Sequence, residues 1–214
     1  LNQWQPLASS IEMREATASA VLDNKLYVMG GSGGGNGLSS VEIYDPKTDQ
    51  WSYGPSLPEA IRRAEAITLN GIIYVTGGAS SNGQNHDKVY AFIDGAWEQK
   101  ASMNVRRVNH ALVIHNGSIW AIGGGASSPG DPETKTVEIY DPVSNTWTYG
   151  PELNLPRTAP VAWVHRDQIY VGGGRDGINS YPTSIEVFDT VLNGWILQGN
   201  LAQISYCSGS VILN

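Results

Sequence analysis

The 214-residue sequence holds one cysteine, Cys207, so a disulfide framework and a cysteine-ligated zinc site are both excluded. Charge is sparse: Asp, Glu, Lys and Arg make up 15% of the chain, with 13 basic against 20 acidic residues and a formal net charge of −7. No dense basic stripe occurs, which argues against binding a phosphate backbone, so nucleic acid is not an expected partner. Nor does any run of 18 apolar residues or any signal peptide occur, so no membrane partner is expected and the chain reads as soluble, with no compartment indicated. The sequence opens on Leu1 rather than Met, which suggests a mature or partial chain. What it has in plenty is glycine, 25 residues, in a pattern of tight turns typical of an all-β protein rather than of disorder.

The pattern repeats. Trp4, Trp51, Trp97, Trp147 and Trp195 are spaced 46 to 50 residues apart. Glycine pairs fall between them at Gly30-Gly31, Gly77-Gly78, Gly123-Gly124 and Gly173-Gly174. Each of the first four Trp lies 26 residues before the first glycine of the next pair, whereas the stretch from that glycine to the following Trp varies from 20 to 24. One half of the unit has a constant length, and the other half absorbs the insertions.

Four short strands are expected in each unit. The first is rich in small apolar residues, as in ATASAVL and AEAITL. A two-residue turn follows at Asp23-Asn24, Asn70-Gly71, Asn116-Gly117 and Arg166-Asp167; Asn-Gly between apolar runs is a strong hairpin signal because a type I′ turn needs positive φ at both positions. The second strand (KLYVM, IIYVT, SIWAI, QIYVG) ends at the glycine pair, the third is VEIYD and its copies, and the fourth starts near the Trp. Strand alternation in units of this length indicates a β-propeller blade.

The order Arg, small-apolar strand, IYVxGG, VEIYDP, Trp resembles the kelch motif over essentially the whole chain. The implied fold is an all-β, kelch-type propeller of four complete four-stranded blades with partial strands at both ends. The blades are expected at about residues 12–54, 60–100, 105–150 and 155–198. Residues 1–8 would form the last strand of a preceding blade, and 201–214 the first strand of a following one. A closing blade with only a first and a fourth strand leaves sheet edges unpaired. The expectation is therefore a piece of a larger propeller, or association through those edges.

The repeated carboxylates Glu42 with Asp45, Glu138 with Asp141 and Glu186 with Asp189 look at first like acid/base pairs. Their recurrence makes them blade chemistry instead: a turn-forming Asp and a solvated Glu on the strand.

Strand direction places three features on one face: the loops after the glycine pairs, the loops after the Trp strands, and the residue that opens each first strand. That residue is Arg14, Arg107 or Arg157, ten residues after its Trp, with Arg62 at eleven and Ser205 in the fifth copy. Guanidinium groups suit carboxylates through a planar, bidentate fork, or else serve the blade itself by bonding loop carbonyls. The resemblance implies that residues at this position line a pocket for protein segments, often acidic ones. It also implies an alternative, a bacterial sugar-binding or sugar-modifying propeller resembling sialic acid mutarotase.

The post-glycine loops SGGGNGLSS, ASSNGQNHD, GASSPGDPETKT and RDGINSYPTS differ from one another, as recognition loops on a constant scaffold do. Asn85, His86, Arg175, Asp176 and Tyr181 break the repeat and join the arginines as candidate ligand-binding residues.

No catalytic set stands out. His115 and His165 occupy the same position in different blades, Asp131 and Glu133 lack the oxygen spacing of a calcium loop, and Cys207 has no base at a recognisable spacing. A related copper oxidase family finds no support beyond that isolated cysteine. No cofactor or metal is expected, and binding is favoured over catalysis.

Overall fold

The computed structural model describes residues 4–125, 133–176 and 180–203. Those residues contain strands and turns and no helix. The strands are β1 (Ala18–Leu22), β2 (Lys25–Met29), β3 (Ser32–Gly33), β4 (Asn36–Gly37), β5 (Val41–Asp45), β6 (Gln50–Gly54), β7 (Glu65–Leu69), β8 (Ile72–Thr76) and β9 (Val89–Ile93). They continue as β10 (Ala96–Lys100), β11 (Ala111–His115), β12 (Ser118–Ile122), β13 (Val137–Asp141), β14 (Thr146–Gly150), β15 (Val161–His165), β16 (Gln168–Gly172), β17 (Ser184–Asp189) and β18 (Gly194–Asn200).

Sixteen of these make four antiparallel sheets in simple chain order: β1-β2-β5-β6, β7-β8-β9-β10, β11-β12-β13-β14 and β15-β16-β17-β18. The remaining two, β3 and β4, form a small ribbon in the first post-glycine loop. This is the all-β propeller blade that the repeat implies. The expected terminal strands are not among these: residues 4–8 run without strand pairing and Trp4 is fully exposed, since no sheet lies beside it among the described residues. Residues 204–214 lie outside the described residues.

Local chemistry accounts for the blade. The two-residue turns take positive φ as the hairpin type demands, at Asp23 (52°) and Asn24 (59°), Asn70 (52°) and Gly71 (76°), and Asn116 (50°) and Gly117 (73°). Asp45, Asp141 and Asp189 accept a hydrogen bond from the backbone N–H two residues on, which closes the turn between the third and fourth strands. At the inner end of the second strand, Gly77 (φ 62°) and Gly78 (φ 92°) press against the neighbouring backbone. A Cβ on Gly77 would collide with the carbonyl oxygen of Arg107 in the next blade, and the Gly78 N–H donates to that same oxygen at 2.7 Å.

Apolar side chains fill the wedges between blades. Met29, Val41, Ile61, Ile73 and Tyr90 pack between blades one and two, Tyr74, Met103, Ile119 and Tyr140 between two and three, and Trp120, Ile122, Ile169 and Phe188 between three and four. The repeated aromatic pairs stand at each blade's outer turn: Tyr44 with Trp51 (5.1 Å between centroids), Phe92 with Trp97 (5.0 Å), Tyr140 with Trp147 (5.0 Å) and Phe188 with Trp195 (5.5 Å). Each indole N–H reaches a carbonyl in the segment that leads into its blade, Ala8, Pro55, Ala101 and Pro151 respectively. The repeated Trp therefore supplies apolar area and one stitch per blade.

A ring of backbone bonds runs from blade to blade at the inner end. Arg63 N–H donates to Ala16 O, Asn109 N–H to Arg63 O and Ala159 N–H to Asn109 O, at 2.7–3.1 Å. All four residues have positive φ.

Candidate functional site

The post-Trp loop of each blade is tied to the end of its post-glycine loop by one backbone bond: Leu57 N–H to Ser39 O, Met103 N–H to Asp87 O, Leu153 N–H to Lys135 O and Leu201 N–H to Thr183 O. The two loop families therefore share one face, as strand direction requires. We call it the loop face.

The arginines at the start of the first strands are enclosed in their own blades. Arg107 and Arg157 have no exposed surface. Arg107 Nη1 donates to the carbonyls of Gly123 (2.6 Å) and Thr136 (2.9 Å), and Nη2 donates to Thr136 Oγ1 (2.8 Å) and Glu138 Oε1 (2.9 Å). Arg157 repeats this with Gly173 O, Ser184 Oγ and Glu186 Oε1, and Arg14 with Gly30 O, Ser40 and Glu42. The carboxylates are equally enclosed: Glu42, Glu138 and Glu186 are wholly buried, so the expectation of a solvated strand glutamate is corrected. Their oxygens also accept backbone N–H groups of the post-Trp segment, from Ile11, Asn104 and Asn154.

One guanidinium thus clamps the glycine-pair carbonyl, the third strand and, through its glutamate, the incoming loop. Burial pulls the Arg107 pKa below its usual value and the Glu138 carboxylate pushes back. The expected ring of ligand-facing guanidiniums is therefore not formed by Arg14, Arg107 and Arg157. Their donors are engaged where the repeat needs them, and Arg107 and Arg157 offer no surface to a ligand.

Blade two departs from this scheme at four linked positions. Ile61 (2% exposed) replaces the arginine and Tyr90 (4% exposed) replaces the glutamate. Lys88 stands where Ser40, Thr136 and Ser184 receive the guanidinium, and Pro58, without an N–H, stands where Ile11, Asn104 and Asn154 donate to the carboxylate. Replacing a buried ion pair by well-packed side chains is often neutral in stability. Here the exchange also moves the polar groups outward. Lys88 Nζ donates to both oxygens of Glu59 (2.7 and 2.9 Å), and Tyr90 Oη donates to Glu59 Oε1 (2.6 Å). Burial alone would raise the Glu59 pKa, but the bonds from Lys88 and Tyr90 outweigh it and hold it below the usual value.

The result is a cavity of about 410 Å³ on the loop face, lined by Glu59, Ser80, Asn82, Gln84, Asn85, His86, Asp87, Lys88 and Arg106. Two candidates from the sequence, Asn85 and His86, fall here. Asn85 is buried, and the His86 side chain retains only 10% of its exposure, with Nδ1 3.5 Å from Glu59 Oε1.

The other candidates are placed elsewhere. Arg62, offset by one residue, misses the clamp position and pairs its backbone with Ala79; the residue is half-buried, and its buried Nε has no hydrogen bond among the described residues. Arg175 pairs its backbone with Thr158 and its guanidinium with Glu133 from the preceding blade's loop (2.7 Å). Asp176 Oδ1 accepts the Ser180 N–H, shaping its own loop, and Tyr181 is 41% exposed beside it. Ser205 lies outside the described residues. Among the described residues no three His, Cys, Asp or Glu side chains converge as a metal site would require. No helix among them is long and apolar enough to cross a membrane.

The family model described as "Kelch motif" matches residues 13–58 and 106–154, two of the four blades. The chain is a kelch-repeat protein. Kelch-like protein 26 of Danio rerio is 29% identical over 200 residues, covering 91% of this chain and 33% of its own length. Beta-scruin of Limulus polyphemus is 26% identical, covering 88% and 22%. The kelch chain here thus spans about a third or less of these relatives. Among solved structures, one titled "Structure of YjhT" superposes with a TM-score of 0.85 at 21% identity, over 97% of this chain and 77% of that one, and it bears on the fold alone.

Glu59, Lys88 and Arg106 were not among the sequence candidates. The signal was legible nonetheless: blade two loses its arginine and its glutamate together.

Proposed function

We propose that the chain is a non-catalytic module that binds a protein segment on the loop face. The observation that carries this is the polar cavity of blade two, built on the one blade whose internal clamp has been replaced. The unlike sequences of the four post-glycine loops support the same reading, as does the kinship with Kelch-like proteins. A cavity of this size suits one or two side chains of a bound segment. Its amide and hydroxyl lining (Ser80, Asn82, Gln84, Asn85) also suits sugar hydroxyls, which is the second reading.

Panning a random peptide library against the chain tests the first reading. Enriched peptides are expected to lose about tenfold or more in affinity with Arg106→Ala, the loss of a charge-assisted contact. They should be indifferent to Val143→Asp in an exposed turn at the opposite face. No enrichment above background, or loss only with the Val143 variant, overturns it; selective retention on a glycan array would favour the sugar.

We further propose that copies of this chain associate, supported by exposed Val21 on blade one and Ile196 and Leu197 on blade four. Light scattering at tens of micromolar protein should give a mass above the 23.0 kDa of one chain. A constant monomer mass would refute association.

A further inference from the structure

Among the described residues, the cavity of blade two has one cation with no partner of its own. Arg106 is exposed and makes no hydrogen bond or ion pair among the described residues. By contrast, the Lys88 charge is spent on Glu59, which accepts from both Lys88 and Tyr90. Between them lies His86. Its backbone is held on both sides, N–H to Gly78 O (2.7 Å) and carbonyl to the Arg107 N–H (3.1 Å), so the ring is presented by a fixed segment rather than a free loop tip. Its Nδ1 is enclosed, faces Glu59 at 3.5 Å, and has no hydrogen bond among the described residues.

The charged groups acting on His86 are Glu59 and Asp87, which favour its protonated form, and Lys88 and Arg106, which oppose it. Burial is the largest influence, and with Lys88 and Arg106 it outweighs the two carboxylates, so the His86 pKa lies below its usual value. An anion placed against Arg106 cancels one of the two opposing charges and adds an attractive one. The balance then tips towards imidazolium, whose Nδ1–H can complete the missing bond to Glu59.

We propose that this cavity is an anion site that takes up a carboxylate together with a proton, the carboxylate on the Arg106 guanidinium and the proton on His86. A carboxylate fits better than a phosphate dianion, because Asp87 and Glu59 line the same cavity. The ligand class is then an acidic side chain, or the carboxyl terminus, of a segment lying on the loop face. The proposal rests on the reading of that face as a binding surface.

It is tested by NMR on the intact chain, following the His86 ring protons through a pH titration with and without millimolar N-acetylglutamate. With the probe present, the His86 midpoint is expected to rise by about one pH unit, and probe affinity to strengthen about threefold to sixfold from pH 7.5 to 5.5. Arg106→Ala should abolish both effects. His86→Gln should bind with no more pH dependence than the probe's own carboxylates show. A His86 midpoint that ignores the probe, or binding unchanged in Arg106→Ala, overturns the proposal. Peptides selected on the wild-type chain separate the two levels. If they bind the loop face but are indifferent to both substitutions, the carboxylate site fails while the binding surface stands. If no peptide is selected, yet N-acetylglutamate binds with the expected proton uptake, the protein-segment reading fails and the anion site stands.

Discussion

Arg107→Ala is expected to destabilise the protein by about 3–5 kcal/mol, the usual result of removing one partner from a buried ion pair. For a chain of this size that is a fall in Tm of roughly 6–20 °C. The reason is the partner left behind. Glu138 stays wholly buried, still bonded to the N–H groups of Asn104 and Val105, with no cation opposite it. The carbonyls of Gly123 and Thr136 lose their donor at the same time. The double variant Arg107→Ile with Glu138→Tyr copies the pair that blade two uses at Ile61 and Tyr90. It should be more stable than Arg107→Ala, because no charge remains in the interior. Thermal unfolding followed by circular dichroism measures both. If Arg107→Ala left Tm unchanged while peptide binding disappeared, the guanidinium would be a ligand group and the clamp reading would be wrong.

The second large effect is the pH dependence of stability. Glu65, on the innermost strand of blade two, has its carboxyl pushed up to about 8 by burial. His110, 1% exposed between blades two and three and bonded through Nε2 to Thr76 Oγ1 (2.7 Å), is pulled down to about 3 by burial and then by Arg107.

The signs are opposite. Between the ordinary Glu value and 8, the folded protein holds a proton at Glu65 that the unfolded chain has lost, so stability falls as pH rises. Between 3 and the ordinary His value, the unfolded chain holds a proton that folded His110 lacks, so stability falls as pH drops. His86 acts in the same direction as His110. Asp45, Asp49 and Asp141, whose carboxyls are held low chiefly by backbone hydrogen bonds, add to the acid loss only below the ordinary Asp value. Stability should therefore peak at about pH 6 and decline by about 1.4 kcal/mol per unit up to pH 8. Glu65→Gln is expected to flatten that alkaline decline while leaving the acid limb intact. Urea midpoints from pH 4 to 9 measure it, and an alkaline decline that persists in Glu65→Gln refutes the assignment.

Both expectations turn on groups whose identity, but not whose fate, could be read along the chain. The strands, their turns and the blade period are local: alternation, positive φ at Asn-Gly, and an Asp two residues before a free N–H act over a few positions. The side of the blade on which each loop emerges follows from strand direction alone. So the repeat and the loop face were legible, and Asn85 and His86 stood out because they interrupt the pattern.

The role of the repeated arginine was not local. Each pairs with a glutamate 28 to 31 residues away on another strand, and only the closed sheet puts the two together with the glycine carbonyl. Either partner alone looks like a surface charge. Arg and Glu are both present in blades one, three and four and both absent from blade two, a covariation that did state the pairing in advance. The tertiary structure decided the rest: which cations are consumed by the scaffold, and that Arg106, in no register of the repeat, is left facing a cavity. Burial and pairing depend on what the neighbouring strand and the next blade bring to the same place, and no stretch of sequence contains that by itself.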